Sequence, residues 1–258
     1  IVALTTAQMG ILTTAQLKAL TPTQIVKLET ADLAALSSAQ IVGIELSDLA
    51  LLTTDQVKGL TVVGPLTGLS TAQVKALTAA QVVALTTAQV AGLTTAQISA
   101  IEIQDLSGMG TAQINALTSA QLSSLTNNQV AALTTDHVQA LSTANFAGLT
   151  SGFIQAMELN DVRAFTTAQI VAMNSTHIGA LLPTQLGGLT TAQILAIEPG
   201  DLAGLTSAQI PYLTGSQIVA MSTAQIVALS TEQISSISSN QFSAFSIDQH
   251  AALTVPQK

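Results

Sequence analysis

Apolar side chains recur along this chain with a period of eight residues. The segment 85–92, LTTAQVAG, shows the pattern, and 32 copies of it start between Leu4 and Leu253. We number the eight places of each copy, or octad, from its leucine. Place 1 is apolar in every copy, place 2 is mostly Thr or Ser, and place 5 is Gln in 22 copies. Place 6 is apolar in nearly all copies and place 8 is mostly Ala or Gly, so we expect a repeat architecture.

The polar places predict that a new helix begins in each octad. In octad 85–92, Thr86 at the N-cap and Gln89 three residues later form the T-x-x-Q capping box, in which each satisfies a backbone N–H of the other. Leu85 before the cap and Val90 within the helix are spaced as a hydrophobic staple. Three prolines support this reading because they fall at place 3, the first helical position, which tolerates proline. These are Pro22, Pro183 and Pro199.

Two other arrangements fit the pattern less well. One continuous helix would wind its leucine stripe around the axis, because eight residues overshoot two turns by ~80°. A β-solenoid would need alternation with period two, which LTTAQVAG lacks, and Ala and Gln are poor strand residues at this density. We therefore predict an all-α solenoid, or superhelix, of very short capped helices, one per octad.

Energetics require many octads to stack. Two large apolar side chains contribute ~2 kcal/mol each when buried, whereas ordering eight residues costs ~1–2 kcal/mol apiece in backbone entropy. Neighbouring octads must therefore share a core, and the small residues at place 8 would allow their backbones to approach. We predict one octad-repeat solenoid over residues 1–258, with an irregular nine-residue repeat at 60–68 around Gly64 and Pro65, and a kink at Pro211.

Composition excludes several classes of function. The formal net charge is −8 with only six Lys and Arg, so no basic stripe is available for a nucleic acid. Zero cysteine excludes disulfides and thiolate chemistry. Thr and Gln interrupt every apolar run, and we expect no membrane span. We find no signal-peptide pattern, and we expect a section of a longer protein or a mature form.

Acidic residues occur in a paired pattern. Five octads have Glu at place 2, and all five also have Asp at place 5. The pairs are Glu29 with Asp32, Glu45 with Asp48, Glu102 with Asp105, Glu158 with Asp161, and Glu198 with Asp201. Three interpretations stay open: a variant helix cap stabilised by the positive helix end, an ion pair with a neighbouring coil or chain, and a shared cation. We treat the ten residues as candidate metal ligands, with calcium as the cation and no other cofactor expected.

The remaining candidate chemistry is sparse. His137 and His177 stand at place 5, where an imidazole can replace the hydrogen bonds of Gln, and His250 occupies a core place near the end of the chain. Phe153 at place 5 reads as a core residue. Nothing in the spacing brings a Ser, a His and an Asp together, and we expect no enzyme activity.

Two resemblances bear on function. The segment 20–28, LTPTQIVKL, is similar to the first helix of transcription activator-like effector repeats, but the period of eight and the acidic charge argue against DNA binding. The LTTAQ-type octads resemble repeat tracts of large secreted or surface proteins of Gram-negative bacteria. This second resemblance implies an extracellular or cell-surface rod or self-assembling filament whose partner is itself. A scaffold that binds a glycan, a peptide or ice through Thr and Gln rows is the alternative.

Overall fold

A computed structural model describes residues 5–257 of the chain, so the leucine that opens the first octad lies outside the described residues. Within residues 5–257 the regular structure consists of short helices, and no residue lies in a β-strand. The α-helices are four to six residues long, which is little more than one turn each. The predicted all-α solenoid with about one helix per octad is therefore confirmed.

The chain divides into two compact units, Ile1–Leu133 and Thr134–Lys258, and each is described by itself. The α-helices of the first unit are Thr6–Met9, Thr14–Lys18, Pro22–Ile25, Thr30–Ala34, Ser38–Ile41, Leu46–Leu49, Thr54–Lys58, Thr71–Lys75, Ala79–Ala84, Thr87–Gly92, Thr95–Ala100, Ile103–Gly108, Thr111–Asn115, Ser119–Ser123 and Asn127–Ala131. The α-helices of the second unit are Thr135–Ala140, Thr143–Ala147, Ser151–Ala156, Leu159–Arg163, Thr167–Val171, Ser175–Ala180, Pro183–Gly188, Thr191–Ala196, Gly215–Ala220, Thr223–Ala228, Thr231–Ser235, Ser239–Phe242 and Ile247–Ala252. That the two units form a single solenoid domain stays a prediction.

The capping box defines where each helix begins. Thr86 has extended φ and ψ angles, its hydroxyl oxygen accepts from the Gln89 N–H at 3.1 Å, and its own N–H donates to Gln89 Oε1 at 2.9 Å. The same reciprocal pair occurs in most octads of both units, for example at Ser222 and Gln225. Pro22 and Pro183 each begin a helix, as the sequence predicts. The next capping residue follows so closely that no helix grows beyond six residues.

Places 1 and 6 form the core of each unit. Leu85 and Val90 are 4% and 0% exposed, and the equivalent residues are buried in nearly every other octad. Places 3 and 4 carry Thr and Ala toward solvent, as Thr87 and Ala88 show. The pairing of a leucine before the cap with an aliphatic residue in the helix thus creates one continuous apolar interior from many small contributions.

Small residues at place 8 allow the backbone of one octad to lie against the octad three places earlier. A Cβ atom added at Gly204 would collide with the carbonyl oxygen of Ser175. At Gly43 it would lie 2.6 Å from the carbonyl oxygen of Thr14. The predicted role of Ala and Gly at this place is confirmed at these positions, where the close approach involves main-chain atoms.

Three octads depart from the regular helix. In the nine-residue repeat, the turn Val62–Leu66 contains non-helical angles at Val63 and Gly64, which absorb the extra residue. Pro199–Gly204 forms a 3₁₀-helix. A second 3₁₀-helix, Ile210–Tyr212, contains Pro211 where the sequence predicts a kink, and a third is Val255–Gln257.

Candidate functional site

The glutamine at place 5 makes a second set of hydrogen bonds, which link successive turns of the coil. Gln121 Nε2 donates to the main-chain oxygens of Val90 at 3.0 Å and Leu93 at 2.6 Å. Its Oε1 meanwhile accepts from the Thr118 N–H at 2.7 Å. One side chain therefore caps its own helix and ties it to the junction between the octads three and four places earlier.

This pattern recurs in both units and we call it the glutamine ladder. In each member, Nε2 donates to the place 1 carbonyl 28 or 29 residues earlier at 2.6 to 2.9 Å. Its members are Gln40, Gln56, Gln73, Gln81, Gln89, Gln97, Gln113, Gln121, Gln129, Gln169, Gln185, Gln193, Gln209, Gln217, Gln225, Gln233, Gln241, Gln249 and Gln257. One turn of the coil therefore takes between three and four octads.

The ladder stabilises the fold because it satisfies groups that would otherwise be buried without partners. Leu93 O receives no other hydrogen bond from a described residue. A hydrogen bond of this kind contributes about 0.5–1.5 kcal/mol, and a buried group left without one costs about 1–3 kcal/mol. The capping box found from the sequence accounts for only half of the glutamine's role. The unused signal was the amide itself, because a carboxamide offers both an acceptor and two donors.

Histidine replaces the ladder glutamine in two octads of the second unit. His177 Nδ1 accepts from the Asn174 N–H at 3.3 Å, and Nε2 lies 2.7 Å from the carbonyl oxygen of Leu149. These partners require the proton on Nε2, so the neutral imidazole reproduces both functions of the amide. His137 is buried in the same way, and its Nδ1 accepts from the Thr134 N–H. Both histidines occupy the structural role that the sequence predicts.

Aromatic residues fill the core at other departures from the repeat. Phe153 at place 5 is 3% exposed, which confirms that it is a core residue. Near the end of the described chain, His250 packs against Phe242 and Phe245 with ring centroids 4.7 and 5.4 Å apart. Edge-to-face and tilted aromatic contacts of this kind stabilise local packing.

The acidic octads separate their two carboxylates by burial. All five Glu residues at place 2 are exposed, whereas Asp32, Asp48, Asp105 and Asp161 are buried and Asp201 is half-buried. In the first of these octads, Asp32 still accepts from the Glu29 N–H at 3.2 Å. The paired substitution therefore places one charge in solvent and one in the position of the ladder glutamine.

Burial changes the acidity of two of these aspartates. Burial raises the pKa of Asp105 above its usual value, and the charge of Glu102 raises it further. The same causes, burial first and then the charge of Glu158, raise the pKa of Asp161 to about 6. Both shifts have the sign expected for a carboxylate that lacks compensating hydrogen-bond donors.

Lysines of the preceding turn pair with two of the exposed glutamates. Lys18 Nζ lies 3.7 Å from Glu45 Oε1, and Lys75 Nζ lies 3.8 Å from Glu102 Oε1. Each lysine precedes its glutamate by 27 residues, and the two pairs are themselves 57 residues, or two turns, apart. Both pairs line equivalent surface clefts, which also contain Ser70 or Thr126 at place 2 of a later octad. For these two octads, the ion pair with a neighbouring coil is present.

The ten candidate metal ligands lie in five separate octads. No group of three or more His, Asp or Glu side chains in residues 5–257 is arranged to hold a metal ion through side chains alone. That the acidic octads bind a cation stays a prediction, and any such site would need main-chain oxygens as well. In the described part of the chain, no helix has the length and apolar character needed to cross a lipid bilayer.

Comparison with known proteins agrees with the repeat. The ALTTAQ repeat family matches residues 25–62, 65–97, 98–135, 154–191 and 194–231, which together cover most of the chain. No curated protein matches the sequence. Because the five matched segments contain the capping boxes and the glutamine ladder described above, this chain is a member of the ALTTAQ repeat family.

Proposed function

We propose that this chain is a structural protein that serves outside the cell, or at its surface, as a rod and as the building unit of a filament. The glutamine ladder is the observation that carries the proposal. Each octad presents main-chain carbonyls toward later octads and an amide toward earlier ones, so the interface between turns is heterologous. Interfaces of this type extend without closing, and another copy can continue them.

Donors of this type are exposed in the first described turn. Gln8 and Gln16 make their capping boxes, but their Nε2 atoms donate to no described residue, and both side chains are exposed. Gln121 uses the same group, buried, to hold the preceding turn. A second copy that offers place 1 carbonyls would satisfy these donors and bury the apolar residues beneath them, which favours association end to end.

Electron microscopy of the purified chain across a hundredfold dilution tests this proposal. Filaments of constant width that shorten on dilution are expected. The triple variant Gln8→Glu, Gln16→Glu and Gln24→Glu replaces three donors by acceptors and should abolish the filaments, while circular dichroism still shows helix. A matched control places the same three charges at Gln104, Gln139 and Gln155, which are exposed at other places of the octad.

The outcomes separate the two halves of the proposal. Discrete particles at every concentration would reject the filament, and small-angle scattering that shows a rounded particle would also reject the rod. Filaments that survive the triple variant but disappear in the control would place the contact elsewhere on the surface. Location outside the cell is supported by the resemblance of the octads to surface-protein tracts, and protease treatment of intact source cells, compared with lysed cells, tests it.

The proposal includes no catalytic role. A hydrolase screen tests this part, and turnover that disappears on replacement of His137 or His177 would reject it. Burial of the ladder also bears on the scaffold alternative, because a binding surface would consist of the exposed Thr residues without the Gln side chains.

A further inference from the structure

Two acidic octads of the first unit lack a donor that their neighbours possess. In the octads before and after Asp105, Gln97 Nε2 donates to Leu69 O at 2.8 Å and Gln113 Nε2 donates to Leu85 O at 2.6 Å. The equivalent carbonyl for Asp105 belongs to Leu77, a buried residue 28 positions earlier. No described residue donates a hydrogen bond to Leu77 O.

The octad of Asp48 repeats this arrangement. Its neighbours Gln40 and Gln56 donate to Leu12 O and Leu28 O, both at 2.7 Å. Leu20 O lies midway along the sequence between these two carbonyls and receives no hydrogen bond from a described residue. The substitution of Gln by Asp has therefore removed the same donor at two points of the coil that are two turns apart.

The two aspartates are themselves buried without partners. Asp48 is 5% exposed and Asp105 is 9% exposed, and neither side chain makes a hydrogen bond or ion pair with a described residue. A buried carboxylate beside a buried carbonyl is unfavourable, because two acceptors face one another across a medium that screens charge poorly. Something that both oxygens can bind is needed between them.

The space available matches a cation of the size of calcium. Aspartate is one methylene shorter than glutamine, so its oxygens end about 1.5 Å short of the amide nitrogen position. The carboxylate and carbonyl oxygens are then separated by roughly 4.3 Å, close to the roughly 4.6 Å that separates two ligands on opposite sides of Ca²⁺. We propose that a calcium ion binds at each of these two positions, between the carboxylate of Asp48 or Asp105 and the place 1 carbonyl of the preceding turn.

The surrounding charges favour this assignment. Glu45 and Glu102 stand three residues before the two aspartates, and each lysine that approaches them does so at the exposed rim. Each octad therefore has two carboxylates and one ammonium group, and retains a net negative charge. Oxygen ligands with room for waters at the surface suit Ca²⁺, whereas Mg²⁺ demands a stricter octahedral arrangement.

Calorimetric titration of the full, chelator-treated chain with CaCl₂ tests the proposal. Saturable heat is expected, together with a rise of the melting temperature by about 2 °C or more at saturation. The variant Glu45→Thr, Asp48→Gln, Glu102→Thr and Asp105→Gln restores two ordinary octads. This variant should fold as well as the parent in chelator and should lose both the heat and the calcium-dependent rise.

A matched control keeps the acidic octads and removes other carboxylates. Asp55→Asn and Asp248→Asn change two exposed place 4 residues and should leave calcium binding unchanged. Absence of calcium heat in the parent chain would overturn the proposal and would leave a water or a proton as the bridge. Binding that persists in the restored variant would also overturn it, because the ion would then lie elsewhere.

Discussion

Gln121 and Leu93 are 28 residues apart in the sequence, and a hydrogen bond of 2.6 Å joins the amide Nε2 of the first to the carbonyl oxygen of the second. This contact defines the turn of the coil. It also explains the spacing of unusual octads in the first unit, because seven octads correspond to two turns and return to the same face. Glu45 and Glu102, 57 residues apart across the nine-residue repeat, show this spacing.

The variant Gln121→Glu tests the ladder with almost no change of shape. At pH 8 the new carboxylate faces the carbonyls of Val90 and Leu93 in place of a donor, and we expect a loss of about 2–4 kcal/mol in the free energy of unfolding. Because the folded state favours the protonated acid, the loss should shrink as the pH falls. Urea unfolding at pH 8 and pH 4 measures both effects.

Gln104 supplies the control for this experiment. It is exposed at place 4, so Gln104→Glu adds the same charge without touching the ladder and should change stability by less than about 0.5 kcal/mol. Equal losses in the two variants would show that net charge, rather than the ladder, governs stability.

Gly204 and Gly200 provide a matched pair within one octad. A Cβ at Gly204 meets the carbonyl of Ser175, so Gly204→Ala should destabilise the chain by about 1–3 kcal/mol. A Cβ at Gly200 meets nothing within 4 Å, so Gly200→Ala should be neutral or stabilising by up to about 1 kcal/mol. Thermal unfolding of both variants decides the matter, and a reversed order would contradict the close approach of neighbouring turns.

The equivalence of His177 to the ladder glutamine is also testable. His177→Gln should keep the stability within about 1 kcal/mol, because the amide can accept from Asn174 N–H and donate to Leu149 O as the imidazole does. His177→Leu leaves both groups without partners and should cost about 2–3 kcal/mol. Hydrogen exchange of the Asn174 amide measures the local effect. A tolerated leucine would show that apolar packing suffices at place 5.

Asp161 predicts a pH dependence of stability. Its pKa is raised from 3.8 to about 6 in the folded protein, so the folded state binds the proton more tightly than the unfolded state. Its contribution to stability is therefore fully present below pH ~4 and is lost as the pH rises through ~6. Asp161→Asn should be more stable than the parent at pH 8, by no more than about 1 kcal/mol because water screens part of the charge. The two proteins should converge at pH 3.5.

Urea unfolding at both pH values, compared with Asp136→Asn, checks this prediction. Asp136 is an exposed acid of the same unit, and its replacement reports the effect of net charge alone. A parent chain that gains stability from pH 4 to pH 8 relative to Asp161→Asn would contradict the assignment.

The local structure of this protein was determined by the sequence. Thr86 and Gln89 specify a helix start through hydrogen bonds that span only three residues, and Leu85 and Val90 specify which side is buried. These signals are local, and their repetition leaves one consistent answer, so the all-α solenoid and its core places could be predicted.

Only the tertiary structure decided how the octads stack. The amide of Gln121 has a donor left over after it caps its helix, but the sequence does not indicate which of the many identical carbonyls accepts it. A strict repeat makes every register chemically similar, so the number of octads per turn follows from the packing of side chains and the close approach at place 8. For the same reason, the buried aspartates looked like members of symmetric pairs until the fold placed Asp105 inside and Glu102 outside.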